Sequence, residues 1–144
     1  MELEQSLNEF LADLNVFYRK LQNYHWNVQG KDFFVIHAKL EEYYDEINEQ
    51  IDEIAEHILI LGGEPWGTMK DYINNSNIVE AENKKIKPDV IFHNVINDLG
   101  MLLKKVIEIK EKADSLKEYS TSALMDNYIE NYSKKIWMLK QSQE

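Results

Sequence analysis

The chain has 144 residues, the size of one ordinary domain with enough length to bury a core. Asp and Glu number 26 against 16 Lys and Arg, a formal charge of −10, and no basic residue precedes Arg19, which leaves no basic arm for nucleic-acid phosphates. Cysteine is absent, which excludes disulfides, thiolate zinc sites, iron–sulfur clusters and Cys nucleophiles and leaves His, carboxylate or backbone oxygen for any metal.

The elements read as all-α. Leu3, Leu7, Phe10, Leu11, Leu14, Phe17, Tyr18, Leu21, Tyr24 and Val28 recur at three and four, predicting a first helix over 3–28 that ends before Gly30. Asp32 is a candidate cap for a second helix over 33–61. Its inward positions include Ile36, Leu40, Tyr44, Ile47, Ile51, Ile54, Ile58 and Leu61, and Gly62-Gly63 and Pro65 end it. The stretch 64–87 is polar around Asn74-Asn75-Ser76-Asn77, with an apolar patch at Met69, Tyr72 and Ile73; it reads as a crossing loop holding one short helix. Pro88 suits a first helical turn. A third long helix follows with Val90, Ile91, Val95, Leu99, Leu102, Leu103, Val106 and Ile109, and after a break near 114–121 a fourth carries Leu124, Tyr128, Ile129, Tyr132, Ile136 and Trp137.

Two short connections around one long one fit a four-helix bundle with a single crossover, the ferritin-like topology. One domain over residues 1–144 is expected. The start Met1-Glu2-Leu3-Glu4 lacks the positive flank of a secretory signal, and no apolar run is much longer than a helical turn, so a soluble, cytoplasmic protein is expected.

His25 lies five residues before Gly30 and His37 five after Asp32, so an antiparallel hairpin brings both imidazoles to one level. Glu41 follows His37 at i+4 and Glu56 follows Asp52 at i+4, a spacing that puts each pair on one helix face, one turn apart. At about 100° per residue, positions 37, 41, 52 and 56 point to about 0°, 40°, 60° and 100°. They share one broad face. Yet His37 and Asp52 stand about 22 Å apart along the axis, whereas a metal reaches its ligands at about 2 Å. Distance forces a second copy: two such helices packed antiparallel about a two-fold near Ile47 bring His37 and Glu41 onto Asp52 and Glu56 of the mate. Two identical intersubunit sites per dimer follow, each with His25, His37 and Glu41 from one subunit and Asp52 and Glu56 from the other. The donor set suits Fe(II), Mn(II) or Zn(II) without choosing among them. No His has Glu three residues before it, which disfavours a conventional di-iron site inside one bundle. Trp26 reads as packing at the dimer seam, Trp66 and Trp137 as packing, and His57 and His93 as surface or partner contacts. Tyr43-Tyr44 and Tyr128 to Tyr132 read as core and interface.

The segments Asn23-Tyr24-His25-Trp26-Asn27-Val28-x-Gly30, Phe33-Phe34-x-x-His37, Asp52-Glu53-Ile54-Ala55-Glu56 and Leu61-Gly62-Gly63-x-Pro65, with the closing Ile136-Trp137-Met138-Leu139, resemble the Dps family of miniferritins. The resemblance covers essentially the whole chain and is densest over 23–65. It implies a hollow homododecamer of four-helix subunits, the short crossover helix at the two-fold, and ferroxidase sites shared between two-fold mates. His25, His37, Asp52 and Glu56 match the family's iron ligands, which makes them the implied catalytic residues. Glu41 stands where the family usually has Asp, one methylene longer with the same charge, and is the accessory ligand. The implied reaction is oxidation of Fe(II) to Fe(III), with hydrogen peroxide preferred over dioxygen, up to two irons per site, and storage of ferric mineral against oxidative stress. The family's acidic three-fold pores lie near the start of the fourth helix, where Lys117-Glu118-Tyr119-Ser120-Thr121-Ser122 gives no clear match, so the iron route is unassigned. Direct DNA binding is not expected from these termini, and no membrane association is expected. The alternative reading is a metal-binding or DNA-binding structural cage without significant ferroxidase turnover.

Overall fold

The computed structural model describes residues 2–143. Its helices are α1 (Glu2–Asn27), α2 (Phe33–Ile60), α3 (Met69–Asn75), α4 (Pro88–Ser115) and α5 (Tyr119–Gln141). The long helices fall within a few residues of the apolar periodicity. α1 and α2 form one antiparallel hairpin, α4 and α5 a second, and α1 joins them by packing on α4 and α3. This is the ferritin-like bundle that the connection lengths imply, with no strand among the described residues beyond an isolated bridge between Val28 and Ile86.

α1 supplies the centre. Leu3, Leu7, Phe10, Leu14 and Leu21 are fully buried, each such side chain contributing about 1.5–3 kcal/mol of transfer free energy. Ile47, Ile54 and Ile58 of α2, Ile91, Leu102, Val106 and Ile109 of α4, and Met125 and Tyr132 of α5 close the core around it. Val90, placed by the sequence in the third long helix's apolar series, and Trp137, read as packing, are 45% and 60% exposed in the protomer. At about 100° per residue each points away from the buried stripe of its helix, Val90 opposite Leu99 and Trp137 opposite Tyr128.

The helix ends have separate causes. α2 closes in a Schellman turn: Gly62 N–H donates to the Leu59 carbonyl at 3.0 Å and Gly63 N–H to Ile58 at 2.9 Å, with Gly62 at φ 87°, a left-handed geometry that glycine adopts without steric cost. α4 closes the same way with a lysine in that position. Lys117, at φ 60°, donates to Asp114 at 3.1 Å while Glu118 donates to Ala113 at 2.8 Å. Asp32 occupies the N-cap of α2 at φ −99° and ψ 22°, outside the extended region of a capping residue, and its side chain makes no capping bond; the Phe33 N–H donates to the Gly30 carbonyl at 3.2 Å.

Polar side chains of α1 hold the long crossover. The Asn8 amide donates to the Glu64 carbonyl at 3.1 Å and accepts from Trp66 N–H at 2.8 Å. Asp13 accepts from Ser76 Oγ at 2.9 Å and from Asn77 N–H at 2.8 Å. Burial pushes the Asp13 carboxyl above its usual range despite these donors. A buried ion pair, Lys20 to Asp98 at 2.8 Å, ties α1 to α4.

Candidate metal centre

His25 lies in the last turn of α1 and His37 in the second turn of α2. Their rings stack with centroids 3.7 Å apart and planes 11° from parallel. Each ring also bonds the other residue's backbone: His25 Nδ1 donates to the His37 carbonyl at 2.6 Å, and His37 Nδ1 to the His25 carbonyl at 2.7 Å. A carbonyl only accepts, so both Nδ1 atoms carry a proton, which in the neutral imidazole leaves the lone pair on Nε2. That is the tautomer a metal requires, fixed by second-layer bonds of the kind that orient ligating histidines. The arrangement also serves α1. Its last carbonyls have no partner within the helix, and those of Tyr24, His25 and Asn27 are taken by Val28 N–H, His37 Nδ1 and Ile86 N–H.

Aromatic rings brace the pair. Phe33 stacks on His37 at 4.8 Å, and Tyr44 meets His25 edge-on at 5.3 Å. His25 is buried. Glu41 Oε1 stands 3.8 Å from His25 Nε2, and its side chain is 55% exposed, so the carboxylate borders the free nitrogen while still facing outward.

α2 is divided around its circumference. Ile36, Leu40, Ile47, Ile54 and Ile58 form the core side. On another side Glu46 takes Lys135 Nζ at 2.7 Å and the Asn131 amide, Gln50 accepts from Tyr132 Oη at 2.6 Å, and Glu53 accepts from Tyr128 Oη. These bonds to α5 fix the rotation of α2 and turn the remaining face outward. That face carries Glu41, Asp52 and Glu56, all exposed. Burial and the bond to Glu53 push the Tyr128 phenol far above its usual range, and burial does the same for Tyr132, so both remain neutral donors.

The structure brings His25, His37 and Glu41 to one end of the outward face and leaves Asp52 and Glu56 at the other, in an open depression also lined by Glu49, Glu53, His57 and Ser120. Among the described residues no three His, Asp or Glu side chains converge within the chain on a metal-sized point. His57 departs from its reading as a surface or partner contact. It is buried, and its Nε2 lies 2.8 Å from Thr121 Oγ1; its place beside Ile54 and Ile58 on the α2 spiral is the signal that could have found it. His93 is exposed. Trp26 is 54% exposed with the Arg19 guanidinium 5.8 Å from its ring centre.

A four-helix bundle with one long crossover is the ferritin-like architecture, and here it carries imidazoles on two facing helices and carboxylates on the outward side of α2. The ferritin-like domain family matches residues 4–143. DNA protection during starvation protein 2 of Bacillus anthracis is 40% identical over 137 residues, covering 93% of this chain and 91% of that protein. General stress protein 20U of Bacillus subtilis is 34% identical over 139 residues, covering 96% and 95%. The crystal structure of the Dps protein of Vibrio cholerae O1, described as a member of a broad superfamily of ferritin-like diiron-carboxylate proteins, superposes with a TM-score of 0.96 at 36% identity, covering 99% of this chain and 89% of that one. The chain belongs to the Dps family of ferritin-like proteins. At the level of the family it is an iron-binding, iron-storing miniferritin.

Proposed function

We propose that the chain, as one domain over residues 1–144, is a cytoplasmic ferroxidase that oxidises Fe(II) to Fe(III), preferentially with hydrogen peroxide. The observation that carries the reading is the locked imidazole pair: two free Nε2 lone pairs beside Glu41, on a helix whose outward face ends in two further carboxylates. α2 spans Phe33–Ile60, so its midpoint falls between Glu46 and Ile47. The positions 37, 41, 52 and 56 are centred on the same point. A second copy packed antiparallel about a two-fold axis there faces residues whose numbers sum to 93. His37 then meets the partner's Glu56, and Glu41 meets the partner's Asp52. Each dimer holds two sites, each with His25, His37 and Glu41 from one protomer and Asp52 and Glu56 from the other, to take up to two irons as substrate.

Iron is the substrate and cargo. The imidazoles supply neutral nitrogen, and the carboxylates supply the negative charge that favours the ferric product. Two Fe(II), one hydrogen peroxide and two waters give two FeOOH and four protons. Pairing two irons with one peroxide delivers both electrons together, which splits the O–O bond without releasing hydroxyl radical. The ferric product is held as mineral in a hollow dodecamer. The net charge of −10 raises the cation concentration near the protein, and direct DNA contact is no part of the proposal.

The test is an anaerobic Fe(II) titration of the metal-free protein followed by a peroxide pulse. One peroxide consumed per two Fe(II), iron co-eluting with a dodecamer-sized particle, and loss of rate in Asp52→Ala are expected. Iron precipitating as fast as in a protein-free control, or full activity in that variant, overturns the reading.

A further inference from the structure

We propose that Phe34 of one protomer and Leu59 of the other pack together at both ends of the paired α2 helices, as apolar plugs that shield each shared site from bulk water. The proposal rests on the shared-site reading above. Phe34 is 84% exposed and Leu59 58% exposed in the protomer, large apolar side chains at opposite ends of the same outward face as the carboxylates. Their placement repeats that of the ligands. Phe34 lies seven residues before Glu41 and Leu59 seven after Asp52, and at about 100° per residue they point to about 60° and 40°, the directions of Asp52 and Glu41. Their numbers also sum to 93. The operation that sets His37 against the partner's Glu56 therefore sets Phe34 against the partner's Leu59, with no further assumption about the axis.

The height along the helix gives the pair its role. His37 and Glu56 lie about 14 Å from the midpoint of α2, and Phe34 and Leu59 about 19 Å, so each plug is about one turn beyond a ligand set. An ion shared by His37 and the partner's Glu56 requires the two helices to stay close at 14 Å, which selects the shallow class of helix crossing. At about 20° with about 10 Å between axes at the centre, the axes are still only about 12 Å apart at the plugs; at about 50° they would be about 19 Å apart. Burying the two side chains excludes water from the outer side of the site, and charge interactions are stronger where water is excluded. Phe34 and Leu59 contact no ion; they are positioning residues that control solvent access.

The absence of cysteine makes the test clean. The double variant Phe34→Cys/Leu59→Cys, assembled and then oxidised with copper phenanthroline, is expected to give a covalent dimer that goes no further on a non-reducing gel, because a two-fold pairing closes on itself. Each single variant should stay monomeric on that gel. No dimer in the double variant, or a ladder of higher species, overturns the pairing. For the role, Phe34→Ala and Leu59→Ala should retain the Fe(II) binding stoichiometry but raise spin-trapped hydroxyl radical several-fold during a peroxide pulse. Radical yields equal to the parent protein's overturn the shielding role. The two readings separate: a covalent dimer in a protein whose Asp52→Ala variant keeps full iron oxidation upholds the pairing and refutes the ferroxidase site, whereas missing dimers alongside lost activity in Asp52→Ala refute the pairing alone.

Discussion

His25 and His37 each donate Nδ1–H to the other's backbone carbonyl, at 2.6 and 2.7 Å, so a single pair of side chains finishes α1 and readies two Nε2 atoms for metal. The two duties can be separated by substitution. An asparagine amide nitrogen takes the place of Nδ1 and has nothing at Nε2. His37→Asn should therefore keep the protein's stability while Fe(II) affinity falls by about 10–100-fold or more. His37→Ala should lose the affinity and also about 1–3 kcal/mol, because the His25 carbonyl is left without its donor. Anaerobic Fe(II) calorimetry together with urea unfolding of the metal-free protein measures both.

Lys117 holds φ 60° in the turn that ends α4, a conformation that costs a residue with a Cβ about 1–2 kcal/mol. Lys117→Gly is expected to stabilise the protein by about 0.5–1 kcal/mol, allowing for glycine's greater freedom in the unfolded chain. The check is a higher urea midpoint with an unchanged slope. The same substitution at Lys87, the N-cap of α4 with φ −84°, should bring no such gain.

Burial holds the His57 imidazole below its usual pKa, against the opposing pull of Glu53 and Glu118. As pH falls through the unfolded-state value of about 6.5, the unfolded chain takes up a proton that the folded one refuses, so stability falls with pH in the window below about 6.5. His57→Gln keeps a polar atom near Thr121 Oγ1 and cannot titrate. Thermal melts of the two metal-free proteins at pH 7.5 and pH 5.5 should show the parent losing more of its Tm than the variant; equal losses would exclude His57 as the source.

Lys20 and Asp98 form a buried ion pair between α1 and α4, with both side chains 7% exposed. Lys20→Met leaves Asp98 buried without its cation and is expected to cost about 3–5 kcal/mol. Adding Asp98→Leu should restore most of the loss, since apolar replacement of both partners is often neutral or stabilising. Urea unfolding of the two single variants and the double variant closes the cycle, and additive losses would contradict the assignment.

The architecture was legible because long amphipathic stripes leave little choice. Leu3 to Val28 and Ile36 to Leu61 fix two helices, and the few residues between them force the hairpin that levels His25 with His37. What periodicity does not carry is which polar residue beside a stripe goes inside. His57 enters the core from beside the Ile54–Ile58 stripe, and Asp32, in cap position, makes no cap bond because its backbone, at φ −99° and ψ 22°, lies outside the extended region from which a capping side chain reaches the next N–H groups. The break expected near 114–121 is only the turn between Ser115 and Tyr119, since Lys117 takes the conformation that a glycine would have announced. The reciprocal imidazole bonds were hidden as well, because tautomer and ring direction depend on atoms brought together from two helices.

The spacing of donors along α2 bears on how a cell would make this protein. If the site is shared as proposed, with His37 and Glu41 at one end of α2 beside His25 and with Asp52 and Glu56 at the other, a newly synthesised chain would carry two incomplete halves and no complete reaction centre. Redox chemistry would begin only when two chains meet, so at low expression its onset would rise with the square of the amount of protein. A folding intermediate or a stray monomer would meet iron and peroxide without igniting them, and assembly itself would act as the safety catch.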